Sequence, residues 1–149
     1  MVVVMGHHNL LDEWCLFQLQ RVLMASHSVK DLLVYKKAYA MAMHVFELTK
    51  SFPPEERFNL TDQLRRSSRS VSMNLREAWA KRRYELHFIS KLTDCDGENS
   101  ETDTGLDFAK DCGYITAQQH REATEQCSEV GRMLGSIIQS PEKFLLADR

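Results

Sequence analysis

Apolar residues recur along this chain at helical spacing, in four runs separated by identifiable stop signals. In the first, Leu32, Tyr35, Tyr39, Ala42 and Phe46 follow the three-to-four step of an amphipathic helix, and Pro53-Pro54 ends the run. Ser28 with Asp31 three residues on has the form of a capping box at its start. Asn59 or Thr61 can cap a second helix whose buried face would be Leu64, Val71, Leu75 and Ala78. It must break somewhere between Ala80 and Glu85, although no Gly or Pro marks the place. The third run is a heptad-like seam of Phe88, Leu92, Cys95, Asn99, Thr102, Leu106 and Ala109, closed by Gly113 with Tyr114 placed to pack back on the last turn. Thr116 and Gln119 repeat the capping-box pattern before a fourth run. That run carries His120 or Ala123, Cys127, Val130, Leu134, and Ile137 or Ile138, with Pro141 beyond it.

The pattern predicts an all-α protein: an antiparallel, up-down-up-down four-helix bundle over residues 29–140, followed by a loose tail over 141–149. Only six glycines and three prolines in 149 residues agree with long helices. Residues 1–28 stand apart as an N-terminal extension. Two readings of them remain open: an extra amphipathic helix from about Leu10 to Leu23 capped by Asn9, or residues ahead of a natural start at Met24. They offer neither the basic flank nor the small-residue cleavage site of a signal peptide. The four cysteines form no CxxC pair and read as reduced thiols, so the expected compartment is the cytoplasm. No run of eighteen apolar residues exists to form a membrane span.

Two details of the third helix depart from a plain bundle. Asn99 and Thr102 interrupt the apolar seam, and Gly97 and Gly105 sit mid-helix, where each costs about 1 kcal/mol against alanine. Either they form a polar layer that sets register with glycines allowing close approach, or they meet another subunit.

Charge is distributed more unevenly than the overall −2 implies. From Arg57 to Arg83 eight basic residues stand against two acids, a net of +6; from Tyr84 to Cys112 eight acids stand against two lysines, a net of −6. Arg69, Arg76 and Arg83 repeat every seven residues, so they line one helix face, and Lys81-Arg82-Arg83 lies between Trp79 and Tyr84. Such a stripe can neutralise the phosphates of RNA. It can equally pair with the acids of the next helix, where Asp94 and Glu101, and Asp96 and Asp103, share the heptad spacing. Exposed pairs of that kind contribute only ~0–1 kcal/mol each and bias partner choice more than stability.

Catalytic and metal signatures are thin. A di-iron bundle needs Glu-x-x-His on two helices, and none is present; Glu85-x-His87 and His120-x-Glu122 point to different faces. No metal or cofactor is expected, and no catalytic residue is assigned. No Gly-x-Ser-x-Gly or phosphate-cradling glycine loop occurs. The spacing of Arg82 and His87 resembles the Arg and His pair of HEPN-type ribonucleases, which implies a metal-independent ribonuclease as an alternative function.

Several segments together carry a broader resemblance. Val34-Tyr35-Lys36-Lys37-Ala38-Tyr39, Leu48-Thr49-Lys50-Ser51-Phe52-Pro53 and Glu55-Glu56-Arg57-Phe58-Asn59-Leu60-Thr61 resemble the opening of the bacterial four-helix bundle family encoded in 23S rRNA intervening sequences. Gln63 to Ser67, Ser70 to Leu75 with Glu77, Asn99 to Thr102, and Leu106 to Ile115 resemble its later motifs, so the likeness runs from about residue 30 to 140. It implies a small bundle that assembles as a homopentamer. Related accessory proteins of diversity-generating retroelements, which use a basic barrel to engage nucleic acid and a reverse transcriptase, imply RNA or a nucleoprotein as partner. Carried over by position, the nucleic-acid candidates are Arg65, Arg66, Lys81, Arg82 and Arg83, beside the stripe residues Arg69 and Arg76. Asn74 and Glu77 fall at positions that look structural. Ala78-Trp79-Ala80 departs from the glycine that many members carry after the motif glutamate, which implies a reshaped turn. The expected function is a non-catalytic homo-oligomeric scaffold that binds RNA through its second helix. The alternative is a protein-interaction scaffold whose charges serve its own assembly.

Overall fold

Helix α1 runs Leu33–Thr49, α2 Leu60–Lys81, α3 Glu85–Asp111 and α4 Ala117–Gln139 in the computed structural model, which describes residues 28–147. Short 3-10 turns at Val29–Asp31, Pro54–Glu56 and Pro141–Lys143 flank them, and there is no strand among the described residues. Each helix packs on the next and α1 closes against α4, which makes the antiparallel four-helix bundle. The most extensive pairing is α2 with α3. Among the described residues no helix is long and apolar enough to cross a membrane. The helix expected over Leu10 to Leu23 lies outside the described residues.

Caps account for the start of α4 and the end of α3, whereas Asn59 precedes α2 without a side-chain capping bond and Thr61 lies inside that helix. Thr116 Oγ1 accepts from Gln119 N at 3.1 Å and the Gln119 side chain accepts from Thr116 N at 2.8 Å, a reciprocal box that opens α4. At the end of α3, Gly113 takes φ +77°, Tyr114 N donates to Ala109 O and Gly113 N to Lys110 O, the two bonds of a Schellman cap. The Ser28–Asp31 box is also present, but it caps the 3-10 turn ahead of α1 and not α1 itself. Where glycine and proline are missing, after α2, an arginine ends the helix. Arg82 lays its guanidinium 4.0 Å from the Trp79 ring centroid and donates to the Trp79 carbonyl at 2.6 Å. The chain then turns through Arg82–Tyr84 into α3.

The core is built from Met41, Val45, Leu64, Val71, Leu92, Cys95, Leu106, Cys127, Val130 and Leu134, all fully buried. The α3 seam is buried at all seven expected positions. The α1 seam is the expected one only in part: Leu32 and Ala42 are buried, but the aromatic members are not. Val34, Ala38, Met41, Val45 and Leu48 face inward, while Tyr35 and Phe46 are half-buried and Tyr39 is exposed. Two apolar stripes lie side by side on α1, and the aliphatic one fills the centre because tyrosine hydroxyls require a wet rim. Residues 141–147, expected as a loose tail, instead dock on the bundle. Pro141 is buried, the Phe144 ring lies 6.4 Å from Phe88, and Leu146 N donates to Arg82 O.

Small residues let α2 approach α3. The buried face of α2 holds Thr61, Ser67, Ser68 and Ser72 beside its aliphatics. A Cβ on Gly105 would stand 2.7 Å from Leu64 Cδ2. Thr102 Oγ1 lies 2.9 Å from both Ser67 Oγ and the Glu98 carbonyl, so this polar pair is satisfied inside the interface. Asn99 donates to the Cys127 carbonyl at 2.9 Å, tying α3 to α4, while its Oδ1 is buried with no partner among the described residues. Gly105 thus serves close helix approach, whereas nothing lies within 4 Å of a Cβ at Gly97.

Candidate nucleic-acid interface

The seven basic candidates separate into tethered and free groups. Arg65 is half-buried: its guanidinium sits 4.8 Å from the Phe46 ring and its Nε donates to Thr49 Oγ1 at 2.8 Å, which fixes α2 to the end of α1. Arg82 is occupied by Trp79, and burial lowers its pKa from the ordinary arginine value. Arg66 is exposed, with a 3.8 Å contact to Asp62 one turn earlier. Arg69 is exposed, with its guanidinium 5.9 Å from the Phe46 ring. Arg76, Lys81 and Arg83 are exposed, and their side chains have no hydrogen bond, ion pair or ring contact among the described residues. The outward cations are therefore Arg66, Arg69, Arg76, Lys81 and Arg83. His87 is exposed near the α2–α3 turn, its ring 5.6 Å from Tyr84.

Expected pairing between the arginines of α2 and the acids of α3 does not occur within the protomer. Among the described residues the one ion pair joining these helices has the opposite polarity: Lys91 of the acidic helix meets Glu77 of the basic one at 2.9 Å. Lys91 also donates to Asn74 Oδ1 and to Asp94, both at 3.1 Å. Hydrogen bonds to Glu77 and Asp94 raise the Lys91 pKa above its ordinary value. Asn74 and Glu77 are thus partners of one lysine across the α2–α3 contact. The arrangement leaves Arg69, Arg76, Lys81 and Arg83 without an ion pair among the described residues, while Arg66 contacts Asp62 and its charge acts on Glu98 of α3.

Two acids of α3 carry an electrostatic cost. Desolvation raises the pKa of Glu98, aided by Glu101 and Asp94 and opposed by Arg66. Desolvation likewise raises Asp103, with Asp107 adding to it and His120 opposing. A carboxyl group whose pKa is raised by folding binds its proton more tightly in the native state. Its contribution is therefore most favourable below the unfolded carboxylate pKa and falls as pH rises through the raised folded value. Glu98→Gln is expected to raise the melting temperature at pH 7 and to weaken the rise in stability seen on mild acidification. A melting series across the carboxylate range checks this, and a lower melting temperature for the variant at pH 7 would contradict it.

Thiol chemistry is remote from this surface. Burial pushes the Cys95 and Cys127 thiols up to about 12, so both stay protonated and packed near neutral pH. No group of three His, Cys, Asp or Glu suited to a metal ion occurs among the described residues.

A groove between α1 and α2 escaped the sequence reading. Tyr35, Tyr39 and Met43 line one wall and Arg69, Met73 and Arg76 the other, around a cavity of about 530 Å³. The available signal was the pair Tyr35 and Tyr39 one turn apart, but their helical spacing placed them in the core seam. On α2 the groove shares Arg69 and Arg76 with the free stripe, so the basic surface has an aromatic flank.

The profile of the 23S rRNA-intervening sequence protein family matches residues 30–136. A solved structure from Bacteroides thetaiotaomicron, of a protein with unknown function from the S23 ribosomal protein family, is similar at 29% identity and a TM-score of 0.66. The similarity covers 72% of this chain and 96% of that one. No curated protein matches the chain.

Proposed function

The chain belongs to the family of 23S rRNA-intervening sequence proteins, and from that premise we propose that it is a non-catalytic, homopentameric scaffold that binds RNA or a nucleoprotein. The observation that carries this reading is the outward cationic face of α2, on which Arg66 alone has an ion pair among the described residues. Arg66, Arg69, Arg76, Lys81 and Arg83 point outward while the acids of α3 pair elsewhere or remain in water. A row of guanidinium and ammonium groups gains free energy from a polyanion by releasing its condensed counterions. Fivefold assembly would repeat the stripe around a ring and multiply the effective contacts. Free thiols at Cys95, Cys112 and Cys127 accord with a cytoplasmic location.

Titration of a labelled structured RNA at several salt concentrations tests the reading. Binding is expected to weaken on a log–log plot with a slope of about 0.9 per neutralised duplex phosphate and about 0.7 per single-strand phosphate. Absence of binding at low salt would remove the RNA role. It would leave the competing reading, a protein-interaction scaffold, which the exposed Tyr39, Met43 and Met73 support. Solution mass is expected to correspond to five protomers, and a monomer would undo the assembly. For the ribonuclease alternative, Arg82 is already committed to Trp79, so a phosphate would have to displace it. His87→Ala is accordingly expected to leave the integrity of bound RNA unchanged over a long incubation.

A further inference from the structure

The groove between α1 and α2 has a lining at odds with a solvated face. Tyr39, Met43 and Met73 are large apolar side chains exposed by 55%, 45% and 65%. Tyr35 backs Tyr39 in a stacked arrangement, with ring centroids 6.3 Å apart and planes 27° apart. Ser72 is only 7% exposed, and its hydroxyl, on the α2 wall, has no partner among the described residues. The oxygen lies beneath the groove surface, so Ser72 closes the wall and does not present its hydroxyl to the hollow. Arg69 and Arg76 flank the hollow together with Glu77, whose carboxylate is ion-paired to Lys91 at 2.9 Å.

We propose that this groove receives an unpaired base of single-stranded RNA, stacked on Tyr39, with neighbouring phosphates on Arg69 and Arg76. The inference rests on the RNA-binding reading above and names the form of RNA and the place it enters. Its parts follow from the chemistry of the lining. An exposed ring backed by a second ring is a stacking platform, and stacking accepts any base. The hydroxyls of Tyr35 and Tyr39 both donate and accept, so they meet donor and acceptor edges alike. With Glu77 neutralised, the rim is cationic and calls for an anionic ligand.

Size and spacing favour a strand over a folded partner. A cavity of about 530 Å³ falls within the ~300–1,000 Å³ of small-ligand sites. A stable protein interface covers about 800 Å² on each partner, far more than the groove provides. Arg69 and Arg76 lie seven residues apart, roughly 10 Å of helix rise, which suits two phosphates of a chain better than one. Duplex RNA keeps its bases stacked and paired, so it can reach the arginines but not the groove.

Fluorescence anisotropy with a labelled single strand of mixed sequence and a labelled duplex tests this on the full chain. Tyr39→Ala is expected to weaken single-strand binding about 5- to 100-fold and to leave duplex binding unchanged. Tyr39→Phe, which keeps the ring, is expected to retain single-strand affinity. Circular dichroism and solution mass accompany each variant. If the wild type binds single strands and Tyr39→Ala binds them equally well, the base pocket is overturned while the RNA reading stands. If the wild type binds no RNA, both fall. If Tyr39→Ala lowers the assembled mass, the groove is a contact between copies of this chain and the proposal is overturned. Free AMP displacing the strand at its own low concentration would make the groove a nucleotide site and overturn it too.

Discussion

Replacing Arg66, Arg69, Arg76, Lys81 and Arg83 together by glutamine is expected to abolish RNA binding at physiological salt while leaving the bundle folded. These five side chains are exposed, and four have no carboxylate partner among the described residues, so their removal costs little packing. Exposed substitutions of this type change stability by about 0.5 kcal/mol or less each. Binding responds far more strongly, because each lost phosphate contact removes about 0.7 to 0.9 from the log–log salt slope. Arg65→Gln and Arg82→Gln are expected to behave in the opposite way. Each removes a guanidinium from an aromatic face and breaks a hydrogen bond that joins structural elements or closes a helix end. A cation–π contact of about 0.5–1 kcal/mol and a hydrogen bond of similar size are lost together, so melting temperature falls while the salt slope hardly moves. The split between the two sets is the test. Retention of the full slope by the five-residue variant would sink the stripe as the RNA-binding surface.

Gly105→Val is expected to destabilise the bundle by about 1–3 kcal/mol through overpacking, and the effect should be read beside Gly97→Ala. A Cβ at 105 already falls 2.7 Å from Leu64 Cδ2 and 3.1 Å from Leu64 Cγ. Leu64 is only 1% exposed and has nowhere to retreat. The branched side chain of valine therefore pushes α2 away from α3 along the most extensive contact in the fold. At 97 a Cβ meets nothing within 4 Å, and Gly97 is exposed, so alanine there simply recovers the helix propensity that glycine forgoes. That gain is about 1 kcal/mol. Chemical denaturation of the two variants provides the comparison. A stabilising Gly105→Val would refute the close-approach account. A Gly97→Ala variant that loses assembly would place Gly97 at a subunit contact.

Legibility differed sharply between helices, and the reason is how many apolar stripes each one carries. Helix α3 has one heptad-spaced stripe among its acids, so Phe88 to Ala109 could be placed on one face, although Asn99 and Thr102 could be read either as a polar layer in the core or as a contact with another subunit. Helix α1 has apolar residues over more than half its circumference. Periodicity alone cannot choose between Tyr35, Tyr39 and Phe46 on one side and Val34, Met41 and Val45 on the other. The choice depends on what α2 and α4 present, which is tertiary. Caps were legible because Thr116 with Gln119, and Gly113, act through neighbours three to five residues away. The stop after α2 was not, because Arg82 ends it by folding onto Trp79, a use of arginine that no local punctuation announces.

The basic stripe was visible as a run of residues, but which members are free was not. Arg65 and Arg66 are adjacent and chemically identical, yet one is tied to Phe46 and Thr49 while the other projects into water. The same limit applied to the charge split. Counting charges made pairing between the second and third helices plausible, whereas the helix rotation set by Gly105, Ser67 and Thr102 brings Lys91 to Glu77 and turns the arginines outward.

Local chemistry in the chain was enough to determine four helices, most of their boundaries, the α3 seam and the opposition of charge, since each depends on residues within a few positions of one another. Tertiary structure decided the working face of α1, the docking of residues 141–147, the separation of tethered from free arginines, and the aromatic groove beside them. Those properties depend on how each helix is rotated against its neighbours, and that rotation is set by side-chain volumes meeting across the core.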